Sequence, residues 1–181
     1  MKRQLIFSTL LWGLIAPLSC LHAAEAVKTD AAKTEAAKAE GQAPASGHRV
    51  FVPADIKWVE GPASLPKGAK VFVLHGDPNA PGIFTIRVRI PAGYKVPPHF
   101  HPADEQVTVL SGTFSMGMGD TWNDANMRAL PAGSFSMVPT GAHHYAGSRT
   151  GAVIQVHAMG PWGITYVNPK DDPRNQKPAT K

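Results

Sequence analysis

Short runs that alternate apolar and polar residues dominate the chain from about residue 48 onward. The run 70–74 (KVFVL) is rich in residues that favour strands, and the run 83–90 (IFTIRVRI) alternates in character. Since successive side chains of a strand point to opposite faces, Arg87 and Arg89 lie on one face and Val88 on the other. We expect the arginine face to meet solvent, the alternative being a carboxylate-binding face. Both runs predict strands with one side toward a core.

Four further runs have the same character, namely 106–110, 113–118, 134–138 and 153–159. Turn sequences such as Gly-Asp-Pro, Pro-Ala-Gly, Ser-Gly and Pro-Thr-Gly separate them, and no stretch after residue 48 has a convincing helical period. Many short strands joined by turns indicate an antiparallel sandwich or barrel. The predicted fold class is therefore all-β.

The composition supports this fold class and limits the size of the protein. The 181 residues allow one domain with a tail, and 43% hydrophobic residues are enough for a core. The 17 glycines and 17 prolines argue against a helical bundle, in which both residue types are destabilising. The single cysteine cannot form an internal disulfide, and it excludes zinc sites made of cysteine alone.

The first 26 residues have the pattern of an export signal. A positively charged start precedes an apolar stretch over 5–16, which is too short for a permanent transmembrane anchor. Small residues then allow cleavage after Ala23 or Ala26. A retained anchor and a lipoprotein modification at Cys20 are less favoured alternatives. Cleavage would remove the only cysteine, which suits a periplasmic or secreted protein without a stable membrane span.

The segments on either side of the predicted domain are polar. Residues 27–47 combine Ala with Lys and Glu without an apolar face, which is typical of a flexible spacer. Residues 48–168 would form the barrel, and 169–181 a loose polar tail. The net charge of the chain is +5, and loss of residues 1–26 would leave about +4. Because the Lys and Arg residues are not clustered, we expect no nucleic-acid partner.

Three of the eight histidines have a spacing that suits a shared site. In an extended strand His99 and His101 point to the same side, so both imidazoles can reach one point. Glu105 follows a turn-like Pro-Ala-Asp and can add an oxygen, and His144 comes from a separate strand. Three imidazoles and a carboxylate suit one divalent transition metal, Fe, Mn, Ni, Cu or Zn. Such a set leaves coordination positions open for water or substrate.

Two motifs around these residues resemble those of the cupin superfamily. The first is Gly93-x5-His99-x-His101-x3-Glu105-x6-Gly112, and the second is Gly133-x5-Pro139-x-Gly141-x2-His144. Only the end of the second motif departs, with Ser148 where the family often has Asn. The resemblance implies an antiparallel double-stranded β-helix, the cupin or jelly-roll barrel. It also implies a single metal at the centre of the barrel, with these ligands: His99, His101, Glu105 and His144.

Two residues are candidates for catalysis beside the metal. His157 shares one face of the run 153–159 with Gln155, and a polar pair within such a strand needs partners. Either this face looks into the metal cavity, where His157 would carry protons, or it is the solvent face of the sheet. Glu105 is the second candidate, because it could leave the metal and act as a base.

The sequence favours an exported, metal-binding cupin that acts on a small molecule, with dioxygenase-like chemistry, and it leaves other functions open. One alternative is a non-catalytic module that binds or senses a metabolite or a metal. Another is a cupin isomerase, and a third is an assembly protein whose barrel edge pairs with a second chain. Many cupins dimerise by exchanging N-terminal strands, so residues 50–52 (VFV) could pair across a homodimer.

Overall fold

Antiparallel strand pairing accounts for most of the structure in residues 47–176, the part of the chain that this computed structural model describes. Ten strands occur there, and no helix in this part is long and apolar enough to cross a membrane. The strands are β1 (Val59–Glu60), β2 (Lys70–His75), β3 (Gly82–Ile90), β4 (Tyr94–Phe100), β5 (Glu105–Met118), β6 (Arg128–Pro131), β7 (Phe135–Val138), β8 (His144–Ser148), β9 (Ala152–Gly160) and β10 (Thr165–Tyr166).

The strands form two sheets that share β5. In the first sheet the order is β1-β2-β3-β9-β5, with β7 paired to the other side of β5. In the second sheet the order is β10-β4-β8-β5, with β6 also paired to β5. All of these pairs are antiparallel, so the structure confirms the predicted jelly-roll barrel.

Strand β5 continues through the position where the sequence predicted a Ser-Gly turn. Residues 105–112 pair in the first sheet and residues 113–118 pair in the second, so one long strand replaces the two predicted ones. The register shifts between Val109 and Ser111, and Gly112 follows with φ +72°. This local irregularity bends the strand from one sheet into the other without reversing it. The prediction of a turn here was therefore wrong.

Apolar side chains from both sheets fill the interior. On β3 the alternation predicted from the sequence is confirmed, because Val88 and Ile90 are buried at 7% and 4% exposure. The arginines lie on the outer face, where Arg87 Nε donates to Gln155 Oε1 at 3.2 Å and the Arg89 guanidinium lies 4.3 Å from the Trp58 ring. Burial of one face by each sheet provides the main driving force for closing the barrel.

The C-terminal segment is more ordered in residues 169–176 than the predicted loose tail. It forms two 3-10 helical turns, Pro169–Asp171 and Pro173–Asn175. Arg174 pairs with Asp172 and donates to the carbonyl oxygen of Ile164 at 3.1 Å, which attaches the segment to the barrel. The predicted export signal, the spacer up to residue 46 and the last five residues lie outside the described part of the chain.

The bend in β5 allows a stability test at Gly112. A Cβ atom at Gly112 would collide with the carbonyl oxygen of Gly151 and would also strain a positive φ. We expect Gly112→Ala to lower the free energy of unfolding by about 3 kcal/mol in urea denaturation. Gly133→Ala is the matched control, because Gly133 has φ +87° with open space around it, and it should cost only about 1 kcal/mol. Equal losses in the two variants would contradict the close approach.

Candidate metal centre

Three histidines meet inside the barrel near the ends of β4, β5 and β8. His99 on β4 lies directly opposite His144 on β8, and His101 follows the end of β4. Their exposed fractions are only 4%, 1% and 6%. One ring nitrogen from each histidine lies within 4.8 Å of the others, so the three residues could hold a metal ion. The structure thus brings together the histidines that the sequence singled out.

Each of these imidazoles is oriented by a backbone carbonyl. His99 Nδ1 lies 2.7 Å from the oxygen of Pro97, His101 Nδ1 lies 2.7 Å from that of Gly163, and His144 Nδ1 lies 3.0 Å from that of Ala142. A carbonyl oxygen only accepts, so each Nδ1 must carry the proton. In the neutral ring the Nε2 atom is then left with a free lone pair. This is the tautomer that a metal-binding histidine requires.

Glu105, the first residue of β5, lies beside the histidines. Its Oε2 is 3.4 Å from His144 Nε2 and its Oε1 is 3.8 Å from His101 Nε2, and its side chain is 12% exposed. Lone pairs on an unprotonated nitrogen and on a carboxylate oxygen repel each other at such distances. A cation between them would turn this repulsion into attraction. The position of Glu105 therefore suits the fourth ligand that the sequence predicted.

The protonation states of these groups also suit a metal. Burial, together with the neighbouring His144 and His101, lowers the pKa of His99 to about 3. Burial likewise lowers the pKa of His101. Burial acts to raise the pKa of Glu105, but positive charge on His144 and the other two histidines outweighs it and holds the pKa below its usual value. With neutral imidazoles, a bound metal ion would supply that positive charge instead. Neutral imidazoles and an ionised carboxylate are the forms that ligate metals.

One buried atom of the candidate metal centre has no partner within the described residues. His101 Nε2 is enclosed and makes no hydrogen bond, which is costly unless another group satisfies it. Three imidazole nitrogens and one carboxylate are borderline in hardness, which fits Fe, Mn, Ni, Cu or Zn. The residues present thus fit a divalent transition metal.

Hydrogen bonds join the two motif turns that carry the ligands. Asp104 Oδ1 accepts from the backbone N of Thr140 at 2.7 Å and from its hydroxyl at 2.8 Å. The N–H of Gly141 donates to the oxygen of His101 at 3.0 Å. Sequence reasoning treated Asp104 only as a turn residue, although an Asp next to a candidate ligand is a signal that could have been followed. Asp104 is a positioning residue for Glu105 and His101.

The segment after β9 supports His101 from the other side. The indole of Trp162 stacks on the His101 ring, with centroids 4.1 Å apart and an interplanar angle of 17°. The oxygen of Gly163, the next residue, is the partner of His101 Nδ1. Sequence reasoning missed this support, because no spacing rule connects residue 101 with residue 163.

The histidines face a cavity of about 480 Å³ between the two sheets. Most of its wall is aliphatic or aromatic, and the main contributors are Val88, Ile90, Val96, Phe114, Ile154 and Val156. Small-molecule sites commonly have this size and this mixture of an apolar wall with a few polar groups. The cavity places a ligand next to the candidate metal centre.

His157 lies on the opposite face of β9 from this cavity. Ile154 and Val156 line the cavity, so the alternation of the strand directs Gln155 and His157 outward. There His157 Nδ1 lies 2.9 Å from the Thr85 hydroxyl, and its Nε2 lies 3.1 Å from Gln155 Nε2. The assignment of His157 as a proton carrier in the cavity is therefore wrong, and the alternative, the outer face of the sheet, is correct.

A barrel of two antiparallel sheets with buried histidines and a carboxylate at an apolar cavity defines a single-domain protein of the cupin type. Residues 46–162 match the family model described as the ChrR cupin-like domain, which is more than half of the chain. The protein therefore belongs to the cupins, as the two motifs implied. No curated protein matches the sequence.

Solved structures with the same fold are distant in sequence. The polyketide cyclase RemF from Streptomyces resistomycificus has a TM-score of 0.57 and 20% identity, over 70% of this chain and 90% of that one. A putative acetylacetone dioxygenase from Methylibium petroleiphilum PM1 has a TM-score of 0.53 and 21% identity, over 72% and 88%. At this level of identity the similarity shows the fold alone.

Removal of one imidazole tests the ligand set. We expect His144→Ala to reduce bound metal to well below one equivalent, because only three of the four ligands remain and an empty space replaces the missing imidazole. His157→Ala is the matched control, since it removes a histidine from the outer face, and it should bind metal like the parent. Metal content after dialysis, measured by mass spectrometry, decides the point. Equal metal contents in the two variants would contradict the assignment.

Removal of the hydrogen bonds between the motif turns tests the positioning role of Asp104. We expect Asp104→Ala to weaken metal affinity by about tenfold, because Glu105 and His101 lose their fixed orientation. Asp55→Ala should have no effect, since that carboxylate only accepts from the backbone N of Val52. Competition with a chromophoric chelator measures both affinities. An unchanged affinity in Asp104→Ala would show that the turns hold without this contact.

Proposed function

We propose that this protein is a metal-dependent cupin that binds a small molecule at His99, His101, Glu105 and His144 and acts on it in a dioxygenase-like reaction. One observation carries the proposal. Three buried imidazoles direct their Nε2 lone pairs to one point beside the largely enclosed Glu105 carboxylate, at the wall of a ligand-sized cavity. Such an arrangement costs free energy in the folded protein unless it binds a cation.

The side chains would divide the work at this centre. The three histidines would hold the metal, and when bound, the metal would supply Lewis acidity and, in the case of Fe, Mn, Ni or Cu, redox chemistry. Glu105 would complete the ligand set, and its carboxylate could instead accept a proton from a bound ligand. The apolar wall would exclude water, which strengthens each electrostatic contact inside the cavity.

A second candidate function is binding or sensing without turnover. The observation that favours it is the outward position of His157, which leaves Glu105 as the one carboxylate within 4.0 Å of the histidines of the centre among residues 47–176. An isomerase would need only one such group to move a proton, so it remains a further alternative within the same site.

The proposed setting is the periplasm or the exterior, which rests on the export signal predicted in residues 1–26. A homodimer also remains a proposal. Val50 and Val52 are 66% and 51% exposed, while Phe51 between them packs on Phe72 with ring centroids 5.5 Å apart. Exposed apolar side chains at the start of the domain are compatible with pairing to a second chain.

Oxygen consumption tests the catalytic proposal. Protein loaded with each of Fe, Mn, Ni, Cu and Zn would be screened in an oxygen electrode with catechols, flavonols, thiols and β-diketones. We expect uptake with at least one metal and one class, and none after chelation, because the open coordination positions require a bound metal. A stoichiometrically loaded protein that consumes no oxygen with any class would contradict the dioxygenase-like function and favour the binder or the isomerase.

Compared with the parent at equal metal content, Glu105→Gln separates catalysis from ligand binding. The substitution keeps the size of the side chain and removes its charge and its ability to accept a proton. We expect turnover to fall by at least about 100-fold while a ligand still binds in the cavity. Glu60→Gln is the control, because Glu60 also lines the cavity but pairs with Lys70. If Glu105→Gln retains full turnover, Glu105 has no role as a base.

A further inference from the structure

We infer that the cavity selects a ligand whose body is uncharged and largely apolar, with its polar oxygens confined to the end that meets the histidines. Only one part of this inference, the placement of the polar oxygens at the histidine end, rests on the proposed function. The wall of the cavity supports it independently of any metal. It excludes phosphates, dicarboxylates and polyhydroxylated sugars, whose charged or polar groups would be distributed along the ligand.

The wall facing the ligand body offers few hydrogen bonds. Both sheets contribute aliphatic side chains to it, among them Val71, Ile86 and Ile154 of the first sheet and Val96 and Ala146 of the second. The phenol of Tyr94 also lines the cavity, but its hydroxyl donates to the oxygen of Pro66 at 2.6 Å. A polar group on the ligand body that lies against these side chains would therefore lose its water without gaining a partner, since the polar lining residues Ser64 and Asn79 are few beside the apolar ones.

The charged side chains that line the cavity have one sign, although Lys70, outside the lining, pairs with Glu60. Apart from the histidines, the ionisable side chains lining it are Glu60, Asp77 and Glu105, together with the phenol of Tyr94, and no Lys or Arg in the described part of the chain lines it. Glu105 belongs to the candidate metal centre, while Glu60 and Asp77 are exposed. A bound metal would balance the charge of one negative group at the end of the ligand that meets the histidines. A second negative group on the ligand body would meet no cation and would be repelled.

The shape of the cavity is held in place by hydrogen bonds. The loop between β1 and β2 contributes Leu65 to the wall, and two tyrosines attach it to the second sheet. Tyr94 donates to the oxygen of Pro66 at 2.6 Å, and Tyr166 donates to that of Ser64 at 2.7 Å. With a volume of about 480 Å³, the cavity fits a substituted aromatic ring with a short side chain.

Two pairs of probes test the inference, each pair differing only in a methyl or a carboxylate group. The chelating pair is 1-(4-methylphenyl)butane-1,3-dione and its 4-carboxylate analogue, and calorimetry would measure their binding to metal-loaded protein. The non-chelating pair is 4-methylacetophenone and 4-acetylbenzoate, measured on metal-free protein. We expect the methyl compound of each pair to bind at least tenfold more tightly. Equal or tighter binding of either carboxylate would overturn the inference.

The two pairs also separate this inference from the proposed function. If no metal loads, the proposed function fails, but the preference within the non-chelating pair still tests the apolar wall. If metal loads and the chelating pair binds without a preference for the methyl compound, the inference fails and the metal centre stands.

A charge placed in the wall should reverse the preference. Val73 lines the cavity and is 44% exposed, so Val73→Lys is tolerable for folding and adds a cation near the ligand body. We expect this variant to shift the methyl-to-carboxylate ratio by at least tenfold toward the carboxylate. Ile83→Lys is the matched control, since Ile83 is 64% exposed and does not line the cavity, and its ratio should equal that of the parent. An unchanged ratio in folded Val73→Lys would overturn the inference.

Discussion

Three imidazoles and a carboxylate, all nearly removed from solvent, lie in contact inside an apolar barrel. Burial of these polar groups costs free energy, and most of the contacts around the site offset that cost. Backbone carbonyls satisfy the Nδ1 atoms of His99, His101 and His144, so each ring has one orientation and one tautomer. The Nε2 atoms receive no comparable support, and that of His101 is buried without a partner among the described residues. A bound cation would relieve this imbalance.

The fold provides the rigidity that such a site needs. Strand β5 runs through both sheets, so Glu105 at its start is tied to the same framework as β4 and β8, which carry His99 and His144. The contact of Asp104 with Thr140 and the stacking of Trp162 on His101 fix the ligand-bearing turns from two sides. Because these few contacts hold the ligands in place, the rest of the interior can consist of apolar side chains, and the cavity wall is therefore apolar.

Much of this could be predicted from local patterns. The alternation around Val88 placed the arginines outside, and the i, i+2 spacing of His99 and His101 placed both imidazoles on one side. Prediction failed where the pattern did not distinguish the two faces of a strand. The alternation on β9 left two faces for His157, and only the neighbouring strands determine that Ile154 and Val156 face inward. The predicted turn at Gly112 was wrong because a glycine with positive φ can bend a strand as well as end it.

The sequence by itself determined the all-β class, the cupin family and the four residues that meet at the candidate metal centre, because these depend on spacing along single strands and turns. Tertiary structure decided what supports the centre and what it faces. The partnership of His101 with Gly163, the stacking of Trp162 and the apolar, acid-lined cavity all join residues far apart in the chain. Contacts of this kind arise from how two sheets pack, and no local period of the sequence encodes them.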